Sequence, residues 1–245
     1  MTGRLILAEL VRSVYSIGIW CLGVIGIGFT CLTLWGGNAL PEGLTAELVP
    51  AFCDGTASGF TFFSIFCLMI GALVVTRDYS SSLTARQARV GTGEVGLLAA
   101  KALTAVIWCA VWTTAMVAAG IIMGAIRLAG VDLWWQTSHH WGVLLGGNLI
   151  AGVACGLCGA FFGFVTRSTV VTILLQLAVV LFAAPFLTRL SLAQYIHPGL
   201  VAALSSGTSD IAKLTFGKAA AMEAAWCAAF LAAAIIAMRI RESQS

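Results

Sequence analysis

The chain has 245 residues, of which 60% are hydrophobic and only 9% are charged, and its formal net charge is +3 at pH 7. A soluble domain carries about 25% charged residues because its surface must face water. The composition therefore excludes an ordinary soluble protein and indicates an integral membrane protein. The small positive charge implies no nucleic-acid partner.

Six stretches are apolar enough to cross a bilayer, since a spanning helix needs about 20 consecutive apolar residues. The sequence predicts an all-α membrane protein with a single transmembrane domain over residues 1–245. The six spans are predicted at residues 14–34, 56–76, 102–126, 142–165, 169–188 and 219–238.

The basic residues predict how the spans are oriented. An excess of Lys and Arg near span ends marks the cytoplasmic side of a membrane. With six spans and both termini in the cytoplasm, nine basic residues fall inside and four outside. The inner set is Arg4, Arg12, Arg77, Arg86, Arg89, Lys101, Arg167, Arg239 and Arg241, and the outer set is Arg127, Arg189, Lys213 and Lys218.

Two segments are predicted to lie along the membrane rather than across it. Residues 2–13 place leucines beside Arg4, Glu9 and Arg12, which predicts a short amphipathic interfacial helix. A frayed start of the first span is the alternative. Residues 189–218 contain an apolar piece too short to cross, which predicts a re-entrant or interfacial helical hairpin at the outer face.

Glycines spaced by four residues are typical of tight helix contacts in membranes. They predict that the fourth span is the most buried helix. The pairs are Gly142/Gly146, Gly152/Gly156 and Gly159/Gly163.

A few aromatic and polar side chains within the spans are candidates for a role beyond ordinary packing. Trp108 and Trp112 share one face of the third span, where we expect buried packing, with stacking on an apolar substrate as the alternative. Asn148 and Gln176 lie at membrane depth, where an unpaired amide costs a few kcal/mol. Glu223 is predicted near the outer interface, solvated or beside Lys218, rather than in a proton relay.

No catalytic motif is present, so the chain is not expected to be an enzyme or to hold a metal or cofactor. The string around Gly217-Lys218 lacks the glycine and hydroxyl residue of a phosphate-binding loop. His139 and His140 are adjacent and would point apart, which is poor metal geometry. Gradient-driven transporters usually keep acids or bases at the midplane, and these spans are almost free of charge. We therefore expect the energy for any uphill transport to come from another chain.

The run GALVVTRDYSSSLTARQARVGTGEVGLLAAK, residues 71–101, resembles the segment between spans two and three of ABC-2 type transporter permeases. Asp78, Tyr79, Gly91 and Lys101 match the family pattern in type and spacing. The sequence departs from that pattern at residues 82–83, where the family commonly has Gly-Thr, and at Glu94, where it commonly has Arg. The six spans, the amphipathic start and the outer hairpin agree with the family, and the size is similar to small permeases of lantibiotic and peptide-antibiotic self-protection exporters.

The resemblance implies a permease subunit in a bacterial cytoplasmic membrane. It would pair with a second permease, identical or related, and with ATP-binding subunits that carry ATP and Mg²⁺. Residues 77–101 would form a cytoplasmic coupling loop, in which Ser80–Arg89 docks on the ATP-binding subunit. The contact residues implied are Arg77, Asp78, Tyr79, Ser82, Arg86, Gln87 and Arg89.

The resemblance also implies a cargo path along the permease dimer interface, lined by spans two and five. The cargo would be a peptide, an antibiotic or another amphipathic or lipid-like molecule. A gradient-driven carrier or channel, and a membrane-embedded metalloenzyme that uses His139 and His140, are the alternatives. The candidate path residues are Phe63, Asn148, Gln176 and Phe182.

Overall fold

A computed structural model describes residues 2–36, 45–58, 63–79, 93–130, 132–136, 141–178, 200, 204, 208–209 and 214–242. Nearly all of these residues are helical, which confirms the predicted all-α class. The helices are α1 (Thr2–Val14), α2 (Ile17–Gly36), α3 (Val49–Ser58), α4 (Phe63–Thr76), α5 (Gly93–Ala129), α6 (Trp141–Thr166), α7 (Thr169–Ala178) and α8 (Phe216–Glu242).

Within the described residues, three helices are long and apolar enough to cross a membrane, namely the stretches Val95–Ala129 of α5, Leu144–Thr166 of α6 and Phe216–Ile240 of α8. The consecutive helices α1 and α2 would supply a fourth span if they are counted together. Helices α4 and α7 are apolar but shorter. The predicted second and fifth spans also include residues 59–62 and 179–188, which lie outside the described residues.

A bend of 63° separates α1 from α2. The Ser16 amide donates to the Ser13 carbonyl at 3.0 Å, and the Ile19 amide then donates to the Ser16 carbonyl at 3.1 Å. The first bond lies at the end of α1, and the second lies at the start of α2. The amphipathic segment is therefore a helix of its own and not a frayed start of the first span.

Helix α6 lies at the centre of the bundle. Of its apolar window 61% is buried, against 39% for α5 and 17% for α8. The shorter α4 is buried over a larger share of its length, since ten of its thirteen residues from Ser64 to Thr76 are buried. The prediction that the fourth span is the most buried helix therefore holds only among the three helices long enough to cross a membrane. Glycines allow α4 to pack directly on its backbone. A Cβ atom on Gly159 would overlap the Leu68 carbonyl oxygen, and one on Gly71 would overlap the Gly156 carbonyl oxygen.

The first predicted glycine pair behaves differently from the other two. A Cβ atom on Gly142 or Gly146 would meet nothing within 4 Å. The tight helix contact predicted at this pair is therefore absent among the described residues. Residue spacing shows which residues share a helix face, but it does not show which face meets another helix.

Trp108 and Trp112 pack α5 against α1 and α2, as predicted. Both rings are more than nine-tenths buried, and each meets the Trp20 ring of α2 edge-on at a centroid distance of 5.5 Å. The Trp108 indole nitrogen also donates to the Ser13 hydroxyl at 2.6 Å. The two rings therefore hold neighbouring helices together.

The region of the predicted outer hairpin, residues 189–218, contains a small sheet. Strand β1 (Thr208–Ser209) pairs antiparallel with β2 (Leu214–Thr215), and α8 follows at Phe216. Leu200 and Leu204 are helical and fully buried. The strands are a correction to the all-helical hairpin, whose remaining residues lie outside the described part of the chain.

The predicted loop 77–101 is shorter in the structure. Helix α4 ends at Thr76, and α5 already begins at Gly93, because the apolar run 95–100 continues the helix of the third span. Lys101 consequently lies in the third turn of α5 and is fully buried, rather than at the end of a solvated loop.

Candidate functional site: a cluster of five charges

Five charged side chains from three parts of the chain meet at one end of the bundle. Glu9 and Arg12 come from α1, Arg77 and Asp78 follow the end of α4, and Lys101 comes from α5. We call these five residues the charge cluster. Its formal net charge is +1, since three basic groups face two carboxylates.

Lys101 lies at the centre of the charge cluster. Its ammonium nitrogen is 2.5 Å from Asp78 Oδ2, 3.4 Å from Glu9 Oε2 and 3.3 Å from the Val74 carbonyl oxygen. An ammonium group has three donors, so each donor has an acceptor from this chain. A buried cation can persist at 0% exposure only under such conditions.

The two arginines close the charge cluster on its outer side. Arg12 Nη1 lies 3.2 Å from Glu9 Oε1 and 3.4 Å from Asp78 Oδ2. Arg77 reaches both carboxylates at 3.5 Å, through Nη2 to Glu9 and Nε to Asp78. Each carboxylate therefore contacts all three cations, so the loss of any one member changes the environment of the others.

Local structure accounts for this convergence. Glu9 and Arg12 are three residues apart on α1 and so share a face. The Arg77 and Tyr79 amides donate to the Leu73 and Thr76 carbonyls at 3.2 and 3.1 Å, which turns the chain back over the end of α4. Lys101 lies about 12 Å along α5 from its first residue, at 1.5 Å per residue.

The charge cluster holds both ends of one chain segment. Residues 80–92 lie outside the described residues; Asp78 and Tyr79 precede them, and Gly93, two helical turns before Lys101, follows them. The Asp78–Lys101 contact therefore joins the chain just before this segment to the helix that follows it, and Glu9 links both to α1. A buried ion pair is by itself weak evidence for stability, because the cost of desolvating both charges offsets their attraction.

A second contact ties the same turn to the connection between α6 and α7. The Arg167 guanidinium lies over the Tyr79 ring, 5.1 Å from its centroid, and the Thr76 and Thr169 hydroxyls are 2.7 Å apart. Arg167 has φ of 55°, a left-handed conformation that is uncommon for residues other than glycine. The sharp turn brings α7 beside the end of α4.

The structure describes three of the seven residues predicted to contact an ATP-binding subunit. Asp78 is 3% exposed, and its carboxylate contacts basic groups of this chain. Arg77 has a side chain that is 15% exposed, and Tyr79 stands beside Arg167. The other four, Ser82, Arg86, Gln87 and Arg89, lie outside the described residues.

The candidate cargo residues are not brought together within the described part of the chain. Asn148 lies 18 residues before the end of α6 and Gln176 seven residues after the start of α7, about 27 Å and 10 Å from the connection that joins the two helices at 1.5 Å per residue. Both side chains are more than nine-tenths buried. Phe63 is the first residue of α4, and Phe182 lies outside the described residues.

Two acidic residues were harder to place from the sequence. Glu223 of α8 is 1% exposed, so the prediction of a solvated carboxylate is wrong, because α8 turns this face towards the bundle. The amphipathic pattern of α1 predicts Glu9 on its polar face, whereas the structure buries Glu9 in the charge cluster. The sequence signal that could have identified Glu9 is a carboxylate within a short amphipathic helix that otherwise carries basic residues.

His139 and His140 lie outside the described residues.

Among the residues that the structure describes, no group of three or more His, Cys, Asp or Glu side chains is arranged to hold a metal ion. No protein-family model matches the chain. No curated protein matches it, and no solved structure does so.

Proposed function

We propose that the chain is the transmembrane permease subunit of an ATP-driven ABC exporter, and that residues 80–92 receive mechanical work from a separate ATP-binding subunit. The observation that carries the proposal is the charge cluster. It anchors the start of this segment through Asp78, and Lys101 on the helix that follows completes the same cluster.

Transmission of work from a partner requires that the receiving segment be firmly joined to the membrane helices. Asp78 and Lys101 join its two ends, Glu9 adds α1, and the Tyr79–Arg167 contact adds the turn between α6 and α7. A push on residues 80–92 would therefore reach α1, α4 and α5 and the turn between α6 and α7. Arg86 and Arg89 within the segment would supply charged contacts to the partner.

The finer architecture belongs to the same proposal. The chain would have six spans with both termini in the cytoplasm of a bacterium, an outer hairpin between spans five and six, and a second permease beside it. ATP and Mg²⁺ would be held by the partner subunit. The basic residues support this orientation, because the charge cluster would then lie at the cytoplasmic side, where Lys and Arg are in excess. The cargo would be a peptide, an antibiotic or another amphipathic molecule.

A gradient-driven carrier is the second candidate, and buried Glu223 is the observation that favours it. Acidic residues inside membrane helices often mark ion pathways. In that case Glu223→Gln would abolish transport, and transport would continue without ATP. In the permease reading, transport would stop when ATP is removed.

Co-purification from the native host tests the proposal. The wild type is compared with the Arg86→Glu/Arg89→Glu variant after solubilisation in mild detergent. The matched control is Arg4→Glu/Arg239→Glu, which reverses two exposed arginines of α1 and α8 that lie on the same predicted side. We expect an ATP-binding protein to co-purify with the wild type and the control, and to be depleted from the first variant. If no ATP-binding protein accompanies the wild type in several mild detergents, the proposal is wrong.

A further inference from the structure

A cavity of about 420 Å³ opens between α5 and α6, away from the charge cluster. Its volume falls within the range of about 300–1,000 Å³ that is usual for sites of small ligands. The residues that define its two walls are Thr113, Val117 and Ile121 of α5 and Leu145, Gly146 and Leu149 of α6.

The walls offer nothing to a polar occupant. The Thr113 hydroxyl lies 3.2 Å from the Cys67 sulfur, and the hydroxyl of the neighbouring wall residue Thr114 donates to the Ala110 carbonyl at 2.8 Å. Both hydroxyls of the walls are thus already engaged, and the other wall residues are apolar. A buried water needs two to four polar partners, so the cavity favours a hydrocarbon occupant over water.

Gly146 creates part of this space. Gly152, Gly156 and Gly159 of the same helix are packed against other residues, whereas a Cβ atom on Gly146 would meet nothing within 4 Å. Any larger side chain at this position would enter the cavity. The cavity therefore depends on the absence of a side chain at one residue.

The cavity opens on the side of two helices that can cross a membrane. Ile122 and Leu145 at its margin are 59% and 48% exposed, and Thr113 lies about 18 Å along α5 from Lys101 at 1.5 Å per residue. Because both helices are long and apolar enough to cross a membrane, we infer that residues near their middle lie among lipid tails. An empty cavity would forfeit dispersion contacts that a flexible chain can make with irregular walls.

We propose that the cavity between α5 and α6 binds one acyl chain of a membrane phospholipid. This inference does not depend on the function proposed above. The site would recognise hydrocarbon by shape and would leave the headgroup in the polar zone of the membrane. The bound lipid would complete the packing of α5 on α6 at the end where glycine leaves them apart.

Photolabelling tests the site directly. The full chain is reconstituted in phosphatidylcholine vesicles that contain a trace of phosphatidylcholine with a diazirine in the middle of one acyl chain. After irradiation, adducts are mapped by mass spectrometry. Gly146→Leu and Ala118→Phe each place a side chain in the cavity from a different wall. Gly142→Leu is the matched control, because this glycine also faces open space and does not line the cavity.

We expect wild type and Gly142→Leu to be labelled more strongly at residues 113–122 and 145–149 than at the exposed apolar residues of α2, such as Val24 and Ile25. In Gly146→Leu and Ala118→Phe this labelling should fall to the level of α2. Equal labelling of all lipid-facing helices in the wild type would overturn the proposal. So would labelling that both filling variants leave unchanged, or a disulfide between two chains of a Gly146→Cys variant, which would make this face a protein interface.

Discussion

Lys101 of α5 donates to the carboxylate of Asp78 across 2.5 Å in a position that has no solvent exposure. The two residues are 23 positions apart, and the segment between them contains the part of the chain that we propose to receive energy. Glu9 contacts the same ammonium from α1. Three separate parts of the chain are therefore joined through one buried nitrogen.

Removal of the Lys101 charge should destabilise the protein strongly. Lys101→Met leaves Glu9 and Asp78 buried with one fewer cation, and breaking a buried ion pair by removal of one partner costs about 3–5 kcal/mol. The free energy of unfolding can be measured by titration with SDS and circular dichroism. Lys218→Met is the control, because Lys218 is exposed and should change stability little. If both variants unfold alike, Lys101 does not have the role that we assign to it.

A compensating change should recover part of this loss. In Lys101→Met/Asp78→Asn, one carboxylate is removed together with the cation, so the double variant should be more stable than the sum of the two single changes predicts. The same titration on the four proteins gives the coupling free energy. A coupling energy of zero would show that the Asp78–Lys101 contact contributes nothing specific.

Removing one partner of the hydrogen bond between Trp108 and Ser13 should cost more stability through this bond than removing both partners. Ser13→Ala leaves the indole donor of Trp108 without its partner at 2.6 Å, and an unsatisfied buried donor costs about 1–3 kcal/mol. Ser13→Ala/Trp108→Phe removes both partners of the bond, so its free energy of unfolding should fall by less than the sum of the two single losses. Unfolding titrations of the two single variants and the double variant measure the difference. Strictly additive losses would contradict it.

The glycine positions on α4 and α2 should respond in opposite ways to the same substitution. Gly71→Ala places a Cβ atom against the Gly156 carbonyl oxygen, and overpacking of this kind costs about 1–3 kcal/mol or more. Gly28→Ala meets open space on α2, where alanine is favoured over glycine by about 0.5–1 kcal/mol in a helix. The midpoints of thermal denaturation should therefore move down for Gly71→Ala and up or not at all for Gly28→Ala. Equal shifts would contradict the close packing of α4 on α6.

Much of the fold follows from apolar length and glycine spacing. Helix α2 spans residues 17–36 where residues 14–34 were predicted, and α6 spans 141–166 where 142–165 were predicted. These agreements arise because a membrane span needs a long apolar helix, which the sequence shows directly. The burial of α6 was also predictable, since Gly152, Gly156 and Gly159 allow close contact.

The charge cluster was only partly predictable. Local sequence shows Arg77, Asp78 and Lys101 on either side of a polar segment, and it suggests that they face water. Their burial depends on Glu9, which lies 92 positions from Lys101 and reaches it only because α1 bends away from α2. Contacts over such separations carry no local pattern. The open space beside Gly146 is equally a property of tertiary packing.

Site-specific photocrosslinking in the native host tests the central claim most directly. A benzophenone amino acid replaces Gln87 within the proposed coupling segment, and in a second protein it replaces Trp134, which is 77% exposed and lies on the opposite predicted face. We predict that Gln87 forms an adduct with an ATP-binding subunit and that Trp134 does not. If no adduct with an ATP-binding protein forms from Gln87, or if both positions form it equally, the account of residues 80–92 as the receiving segment is contradicted.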